Sequence, residues 1–235
     1  ESIVMYRQLD NSAGLAWALR GLAWLDRISG DLGQAQRRIA ESLKRFEELG
    51  DKAGLCFAYN GLAYIALDQD NYADAQKYAE QSLVYARQID DRHAISIGLR
   101  FLGRLAQKTK QYQQATDYFT ESLEISCTLN DKYGTAQNFH GRGDAWMQIG
   151  DLAKASVDFQ EAQHFYQYID YKPGLAWLSL STGDLAKVQG NLQQAAAEYQ
   201  SALILSKSIQ QPWLINASQQ RLELLADLKN SPQNV

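Results

Sequence analysis

The sequence has few of the residues that interrupt helices or cross-link chains. Only three prolines occur among 235 residues, which favours helix throughout because proline breaks helices and central strands. Two cysteines, Cys56 and Cys127, exclude a disulfide-dense secreted scaffold, and we expect both to be reduced apolar residues of the interior. No stretch approaches the roughly 18 uninterrupted apolar residues of a membrane span, and no signal peptide is evident. These absences predict a cytoplasmic protein without membrane contact.

A strong excess of charge of one sign is also missing. The 23 basic and 27 acidic side chains give a formal net charge of −4. Surfaces that bind nucleic acid are normally basic, so this balance predicts no nucleic-acid partner. Apolar residues make up 46% of the chain, which is ample material for a core and excludes a peptide hormone.

One pattern recurs along the chain every 40 residues, without insertion or deletion. It includes a polar loop, as in Gly50-Asp51-Lys52-Ala53-Gly54 and Asn130-Asp131-Lys132-Tyr133-Gly134. Alanine recurs at the same step, at Ala35, Ala75, Ala115, Ala155 and Ala195. Such a period is typical of repeat arrays, in which each unit packs only on its neighbours.

Each unit also contains a second break, a short polar turn such as Gly30-Asp31-Leu32 or Gly150-Asp151-Leu152. Glycine commonly follows the end of a helix and Asp or Asn caps the start of the next, so the unit is predicted to be helix, turn, helix. Pro173 and Pro212 stand at the start of a first helix, where no amide hydrogen is needed.

Small residues recur within the predicted first helices, at Ala23, Ala63, Gly103, Gly143 and Gly183. An interior glycine costs about 1 kcal/mol of helix propensity. Its presence in three successive units therefore indicates a contact that needs the space. We expect the two helices of a pair to approach closely at these positions.

In these residues, which recur every 40 positions, the chain resembles the tetratricopeptide repeat (TPR) family. The second-helix signature of that family, an alanine and then an aromatic residue one turn later, appears here as Ala155 with Phe159. The common repeat has about 34 residues, and the longer repeat found here is similar to those of kinesin light chains, spindle-polarity adaptors and bacterial signalling regulators. One departure is that Arg142 and Thr182 replace the leucine of the first helix in the fourth and fifth units. The resemblance implies an all-α fold, a right-handed α-solenoid of antiparallel helix hairpins that forms a superhelix.

The period divides the chain into four segments. Residues 1–11 match the end of a preceding repeat, and residues 12–211 form five 40-residue repeats. Residues 212–229 match a terminal capping helix, and residues 230–235 are expected to be a disordered tail. Because the chain opens on a half-helix without an initiator methionine, we expect it to be a fragment of a larger signalling or scaffold protein.

The sequence has no residue pattern typical of a catalytic site or a metal site. The three histidines, His93, His140 and His164, have no second His or Cys at ligand spacing, so we expect no metal site. The glycines recur at the repeat period and form no phosphate-binding loop of the Walker type. We therefore expect a non-enzymatic protein without a cofactor.

The resemblance also implies where a partner binds. In TPR proteins the first helices line the concave side, and the residues that face the ligand lie near the second, fifth, ninth and twelfth places of each first helix. Carried onto this chain, those places predict a peptide-binding groove that contains Trp17, Arg20, Trp24, Arg27, Phe57, Asn60, Tyr64, Arg100, Arg104, His140, Asp144 and Trp177. The same four places of the first helices also include Leu67, Ile97, Gln107, Gln137, Met147, Leu180, Asp184 and Lys187. Aromatic and arginine side chains are typical of binding hot spots, and guanidinium groups bind carboxylates, so we expect a protein or peptide partner with acidic residues.

Alternatives to this groove stay open from the sequence. The tryptophans could pack between helices while the arginines pair with acidic neighbours such as Asp26. The concave face could also hold a small molecule, as in a ligand-sensing domain of a signalling ATPase or transcription regulator. Self-association is a further expectation, because an array has uncovered apolar surface at its ends.

Overall fold

The computed structural model describes residues 5–6 and 9–230, without the side chains of residues 229–230. From residue 12 onward this part of the chain forms eleven helices joined by short turns: α1 (Ser12–Ser29), α2 (Leu32–Leu49), α3 (Lys52–Asp68), α4 (Tyr72–Gln88), α5 (Arg92–Lys108), α6 (Tyr112–Thr128), α7 (Lys132–Ile149), α8 (Leu152–Tyr168), α9 (Lys172–Val188), α10 (Leu192–Ser208) and α11 (Pro212–Asn230). Odd-numbered helices are the first helices of the repeats, and even-numbered helices are the second. The described residues contain no strand, so the predicted all-α class and helix-hairpin repeat are confirmed. The predicted tail lies, apart from Asn230, outside the described residues, as does most of residues 1–8.

Eight of the eleven helices begin directly after an Asp or Asn. The Asn11 side chain accepts a hydrogen bond from the Gly14 amide at 2.8 Å, and Asp51 accepts one from Gly54 at 2.9 Å. Equivalent caps are formed by Asp31, Asn71, Asp91, Asp131, Asp151 and Asn191. Helix α9 has no side-chain cap and carries a proline in its first turn instead. Each cap satisfies an amide that would otherwise lack a partner at the helix start.

The helices of a hairpin approach closely at the predicted small residues. In the fourth repeat, a Cβ added to Gly143 would lie 2.6 Å from the Phe159 ring on the facing helix. Gly183 stands in the same relation to Tyr199 in the fifth repeat. Both rings are fully buried, so the glycines leave the space that the aromatic side chains of the second helices fill.

A polar pair fills the space where the leucine of the first helix is missing. Arg142 Nε and Nη2 each donate to a carboxylate oxygen of Asp158 at 2.8 Å. In the next repeat, Thr182 lies 3.2 Å from Glu198, which occupies the place equivalent to Asp158. The departure from the repeat pattern is therefore accompanied by an acidic residue on the facing helix.

The chain forms two compact units, Glu1–Ile125 and Ser126–Val235, called unit 1 and unit 2 below. In unit 1 the buried residues of α1 to α5 form the core, with Phe46 and Phe101 completely buried. In unit 2 the core lies between α7 and α11 and includes Phe159, Tyr166 and Tyr199.

The two cysteines differ in their environment. Both are free thiols, and Cys56 is buried within unit 1, as expected. Cys127 is exposed near the end of α6, so the expectation of an interior residue was wrong there. The polar loop that follows begins three residues later and leaves the end of the helix open to solvent.

Candidate binding surface on the first helices

Aromatic and arginine side chains of α1 and α3 contact each other in unit 1. The ring centroids of Trp17 and Phe57 lie 5.7 Å apart. The Arg20 guanidinium carbon lies 5.4 Å from the centroid of each of these two rings. Cation–π contacts form at such distances, so the three side chains make one connected group.

A second group of the same composition lies one helical turn further along α1. The Trp24 and Tyr64 rings meet edge to face with centroids 5.6 Å apart. The Arg27 guanidinium carbon lies 4.3 Å from the Trp24 centroid and 5.0 Å from the Tyr64 centroid. Arg27 also forms an ion pair of 2.6 Å with Asp68 of α3. This second group is therefore electrically neutral.

These six side chains, Trp17, Arg20, Trp24, Arg27, Phe57 and Tyr64, are called the aromatic–arginine surface below. Steps of three and four residues place the α1 members on one face of the helix. Trp24 is 40% exposed, whereas the other five members are half-buried. Tyr64 also meets Phe101 of α5 edge to face at 4.7 Å, which anchors the surface to the core.

The alternative that the tryptophans pack between helices holds for only part of this surface. Trp17 contacts the buried Phe46 ring at 5.1 Å, so one side of its indole belongs to the core. Asp26, the acidic neighbour considered above, pairs with Arg38 of α2 at 2.6 Å and not with a member of the surface. Trp24 keeps its indole open to solvent.

The remaining predicted residues of unit 1 are less accessible. Arg100 is buried, with 9% of its surface exposed, and Arg104 and Asn60 are half-buried. Because a peptide reaches only what solvent reaches, we leave Arg100 out of the proposed surface. The sequence could not distinguish it from Arg20, since both occupy the fifth place of a first helix.

In unit 2 the predicted residues mainly join helices to one another. His140 is 1% exposed, and its Nε2 lies 2.9 Å from the Ser181 hydroxyl of α9. The half-buried Trp177 ring lies 4.6 Å from the imidazole of His140, and Asp144 lies 3.7 Å from its Nε2. These side chains were expected in the groove because of their places, and His140 is the most deeply buried of the three.

A cleft of about 480 Å³ opens in unit 2. It is lined by Met147, Gln148, Asp184, Lys187, Val188, Gln220, Arg221 and Leu224. Asp184 accepts hydrogen bonds from Arg221 Nη2 at 2.9 Å and from the Tyr199 hydroxyl at 2.7 Å. Burial, followed by the hydrogen bond to Asp184, raises the pKa of Tyr199. The sequence did not single out Arg221, because α11 was considered only as a capping helix. The available signal was the position of Arg221 on α11, one helical turn before the repeated apolar residue Leu225.

Metal-binding clusters and membrane-spanning helices are both missing from the described part of the chain. Within residues 5–6 and 9–230, no three His, Cys, Asp or Glu side chains lie together as a metal site would require. None of the helices in those ranges combines the length and the apolar character needed to cross a bilayer.

Comparisons with known proteins agree with this architecture. Residues 55–128 match a family model described as tetratricopeptide repeat, and no curated protein sequence matches the chain. The crystal structure of BtubC from P. vanneervenii is 20% identical with a TM-score of 0.75, and 89% of each chain is covered. At this identity the likeness concerns the fold alone.

Two larger proteins contain a similar array. The first is a signal transduction ATPase with numerous domains and a tetratricopeptide repeat sensor, from Pyrococcus horikoshii, which is 18% identical with a TM-score of 0.67. The match covers 94% of this chain and 34% of that protein. The second is a Rap protein complexed with Competence and Sporulation Factor, 13% identical with a TM-score of 0.77, where the match covers 94% of this chain and 64% of the other.

Proposed function

We propose that this chain, of which residues 55–128 match the tetratricopeptide repeat model, is a non-enzymatic interaction module of that family that binds a peptide segment of a partner protein. The fold is typical of protein–protein interaction modules. Support for the peptide as ligand comes from the similar Rap protein, which is complexed with a factor. That the chain serves a larger signalling or scaffold assembly is part of the same proposal, supported by the sensor array in the larger ATPase.

The observation that carries the proposal is the aromatic–arginine surface of unit 1. Tryptophan, tyrosine and arginine are the residues most enriched where binding energy concentrates. Here ring–ring contacts and cation–π contacts of the arginines hold them in place before any partner arrives. Since such side chains have little freedom left to lose, a partner binds them with a small entropic cost.

The test begins with a random twelve-residue peptide library, displayed on phage and selected against the whole chain. We expect the Trp24→Ala variant to bind the recovered peptides at least about tenfold more weakly in calorimetry, the loss of a hot-spot side chain. The matched control is Tyr168→Ala, because Tyr168 is a 72% exposed aromatic residue on a second helix. Equal losses in both variants, or no loss in Trp24→Ala, would argue against this surface.

A second candidate function is a ligand-sensing domain that binds a small molecule. The cleft in unit 2 favours it, since its volume of about 480 Å³ lies within the range of small-molecule sites. Lys187 and Arg221 would supply positive charge at its wall. In a thermal-shift screen of sugars and other metabolites, a ligand that stabilises the chain but not the Lys187→Met variant would support this function, and the absence of any such ligand would count against it.

A further inference from the structure

One face of α1 is apolar, and the described residues leave it uncovered. Leu25 and Ile28 are 60% and 63% exposed, and no described atom lies within 4 Å of a Cβ added to Gly21. Ala18, which is half-buried, precedes them on the same helix. Steps of three, four and three residues place all four on one side of α1. These four residues are called the α1 face below.

The equivalent face of the next first helix is an interface within the chain. Gly61 of α3 takes the place of Gly21, and a Cβ added to it would lie 3.0 Å from Ile39 of α2. The second helix of one repeat therefore packs on this face of the next. On α1 the same kind of contact is present at Gly14, where an added Cβ would lie 2.5 Å from the Tyr6 ring. The α1 face continues that interface along the helix.

The apolar character of the α1 face goes beyond the repeat pattern. In the next three repeats the place of Ile28 is taken by Asp68, Lys108 and Gln148. A helix of the repeat array therefore does not require an apolar residue at this place. Ile28 extends the apolar face by one turn, which indicates a contact that the later repeats do not make.

The charged residues of α1 are engaged on other sides of the helix. Arg20 contacts two aromatic rings, and Asp26 and Arg27 form ion pairs of 2.6 Å with α2 and α3. No other residue of α1 carries a charge. A second molecule can therefore cover the α1 face without leaving an unpaired charge buried.

The order of side-chain sizes makes the α1 face complementary to itself. Two small residues, Ala18 and Gly21, are followed by two large ones, Leu25 and Ile28. In an antiparallel pair with its twofold axis midway between Gly21 and Leu25, each Gly21 lies level with Leu25 of the other copy. Ala18 then lies level with Ile28. Each layer holds one small and one large residue, the arrangement that lets helices interdigitate.

We propose that the α1 face is a dimer interface, in which α1 packs antiparallel on α1 of a second copy with Leu25 of each chain beside Gly21 of the other. This inference goes beyond the peptide-binding function, because its partner is a second copy and its residues are not those of the aromatic–arginine surface. One helix pair is a small interface beside the roughly 1,600 Å² typical of stable complexes. We therefore expect a weak dimer that dissociates on dilution.

The first experiment exchanges the two sizes. Sedimentation velocity over rising concentration gives the dimer dissociation constant of the whole chain, of Gly21→Leu, of Leu25→Gly and of the double variant. Each single variant overfills or empties its layers, so we expect a dimer at least about tenfold weaker. The double variant keeps the composition and restores one small and one large residue per layer. We expect its dissociation constant to lie within about threefold of the unaltered value.

The matched control is Leu224→Gly. Leu224 is a 61% exposed leucine of α11, so its replacement removes the same side chain outside the α1 face. We expect the dissociation constant to change by less than about twofold. Circular dichroism checks that every variant folds, which we expect because Gly21 has free space around it and Leu25 is mostly exposed.

The second experiment tests the register of the two helices. Gly21→Cys and Leu25→Cys are made in separate chains that also carry Cys127→Ser, because Cys127 is an exposed free thiol. A disulfide needs Cα atoms within about 7 Å of each other. On oxidation of the mixture we expect cross-linking between the two variants, and much less between copies of the same variant.

Four outcomes would overturn the proposal. A monomer at every concentration would leave the α1 face to a helix of another protein. A dimer that neither single variant weakens must use another surface. A double variant as weak as the single ones, or cross-linking mainly within one variant, would exclude the antiparallel register. None of these results bears on the peptide-binding function, which the Trp24→Ala measurement tests separately.

Discussion

Gly143 shows how one missing side chain positions a pair of helices. A methyl group at this residue would lie 2.6 Å from the ring of Phe159 and 3.3 Å from the carbonyl oxygen of Ala155. The ring is buried and the oxygen belongs to the backbone, so neither can move away without opening the hairpin. The glycine is therefore required by packing and not by backbone flexibility.

We expect Gly143→Ala to destabilise the chain by about 1–3 kcal/mol, as overpacked core residues do, despite the better helix propensity of alanine. The measurement is the midpoint of urea unfolding followed by circular dichroism. Gly33→Ala is the control, since a methyl group there would meet only the Asp31 side chain at 3.7 Å. That variant is expected to match or exceed the unaltered stability, and equal effects at both glycines would contradict the packing explanation.

For single residues, the sequence predicted where small side chains let two helices approach, because those positions recur every 40 residues. It could not predict how exposed each residue is. Trp17 and Trp24 are both tryptophans of α1, yet one packs on Phe46 of the facing helix α2 and the other is 40% exposed. The difference depends on what the packed helices place against each ring, which the residue type does not describe.

Between elements, the fourth repeat replaces apolar packing with an ion pair. Arg142 of α7 and Asp158 of α8 stand where the third repeat has Leu102 and Tyr118. Asp158 is 4% exposed, so its charge depends on the facing guanidinium. Replacement of one partner alone leaves a buried charge, whereas replacement of both restores an apolar contact.

We expect Arg142→Leu to destabilise the chain by about 3–5 kcal/mol, the usual effect of breaking a buried pair. The double variant Arg142→Leu with Asp158→Tyr carries the pair of residues from the third repeat and should recover most of that loss. Thermal unfolding of both variants and of Asp158→Tyr alone completes the cycle. Additive losses in the double variant would contradict the pairing.

The helices themselves were predictable because Asp and Asn caps, glycine stops and the 40-residue period all agree. The Arg142–Asp158 pair was not, because its partners lie 16 residues apart on different helices. Their register across the hairpin becomes visible only when the helices are packed.

For the molecule as a whole, the first and last helices differ in how far a repeated apolar place is covered. On α1, Leu25 and Ile28 are 60% and 63% exposed, whereas Ile65 and Leu105, at the same place as Leu25 in later repeats, are 2% and 4% exposed. On α11, Trp213, Leu224 and Leu228 are 56%, 61% and 55% exposed, but Leu225, at the same place as Leu25, is 2% exposed. The described residues therefore leave this repeated place uncovered on α1 and cover it on α11.

We expect self-association through α1, with two copies covering this area and no extension into longer chains, because the equivalent place on α11, Leu225, is already buried. Sedimentation velocity over rising concentration should show a monomer–dimer equilibrium that Leu25→Asp abolishes. Leu224→Asp, at a 61% exposed leucine of α11, should leave the equilibrium unchanged. A monomer at all concentrations, or higher oligomers, would contradict this prediction.

The account depends most on the claim that unit 1 binds its partner through the first helices. The most direct measurement is a crystal structure of the whole chain with the tightest library peptide. We predict that the peptide lies on the aromatic–arginine surface, with an apolar side chain against Trp24. A peptide bound instead to the second helices, or to unit 2 alone, would contradict the account.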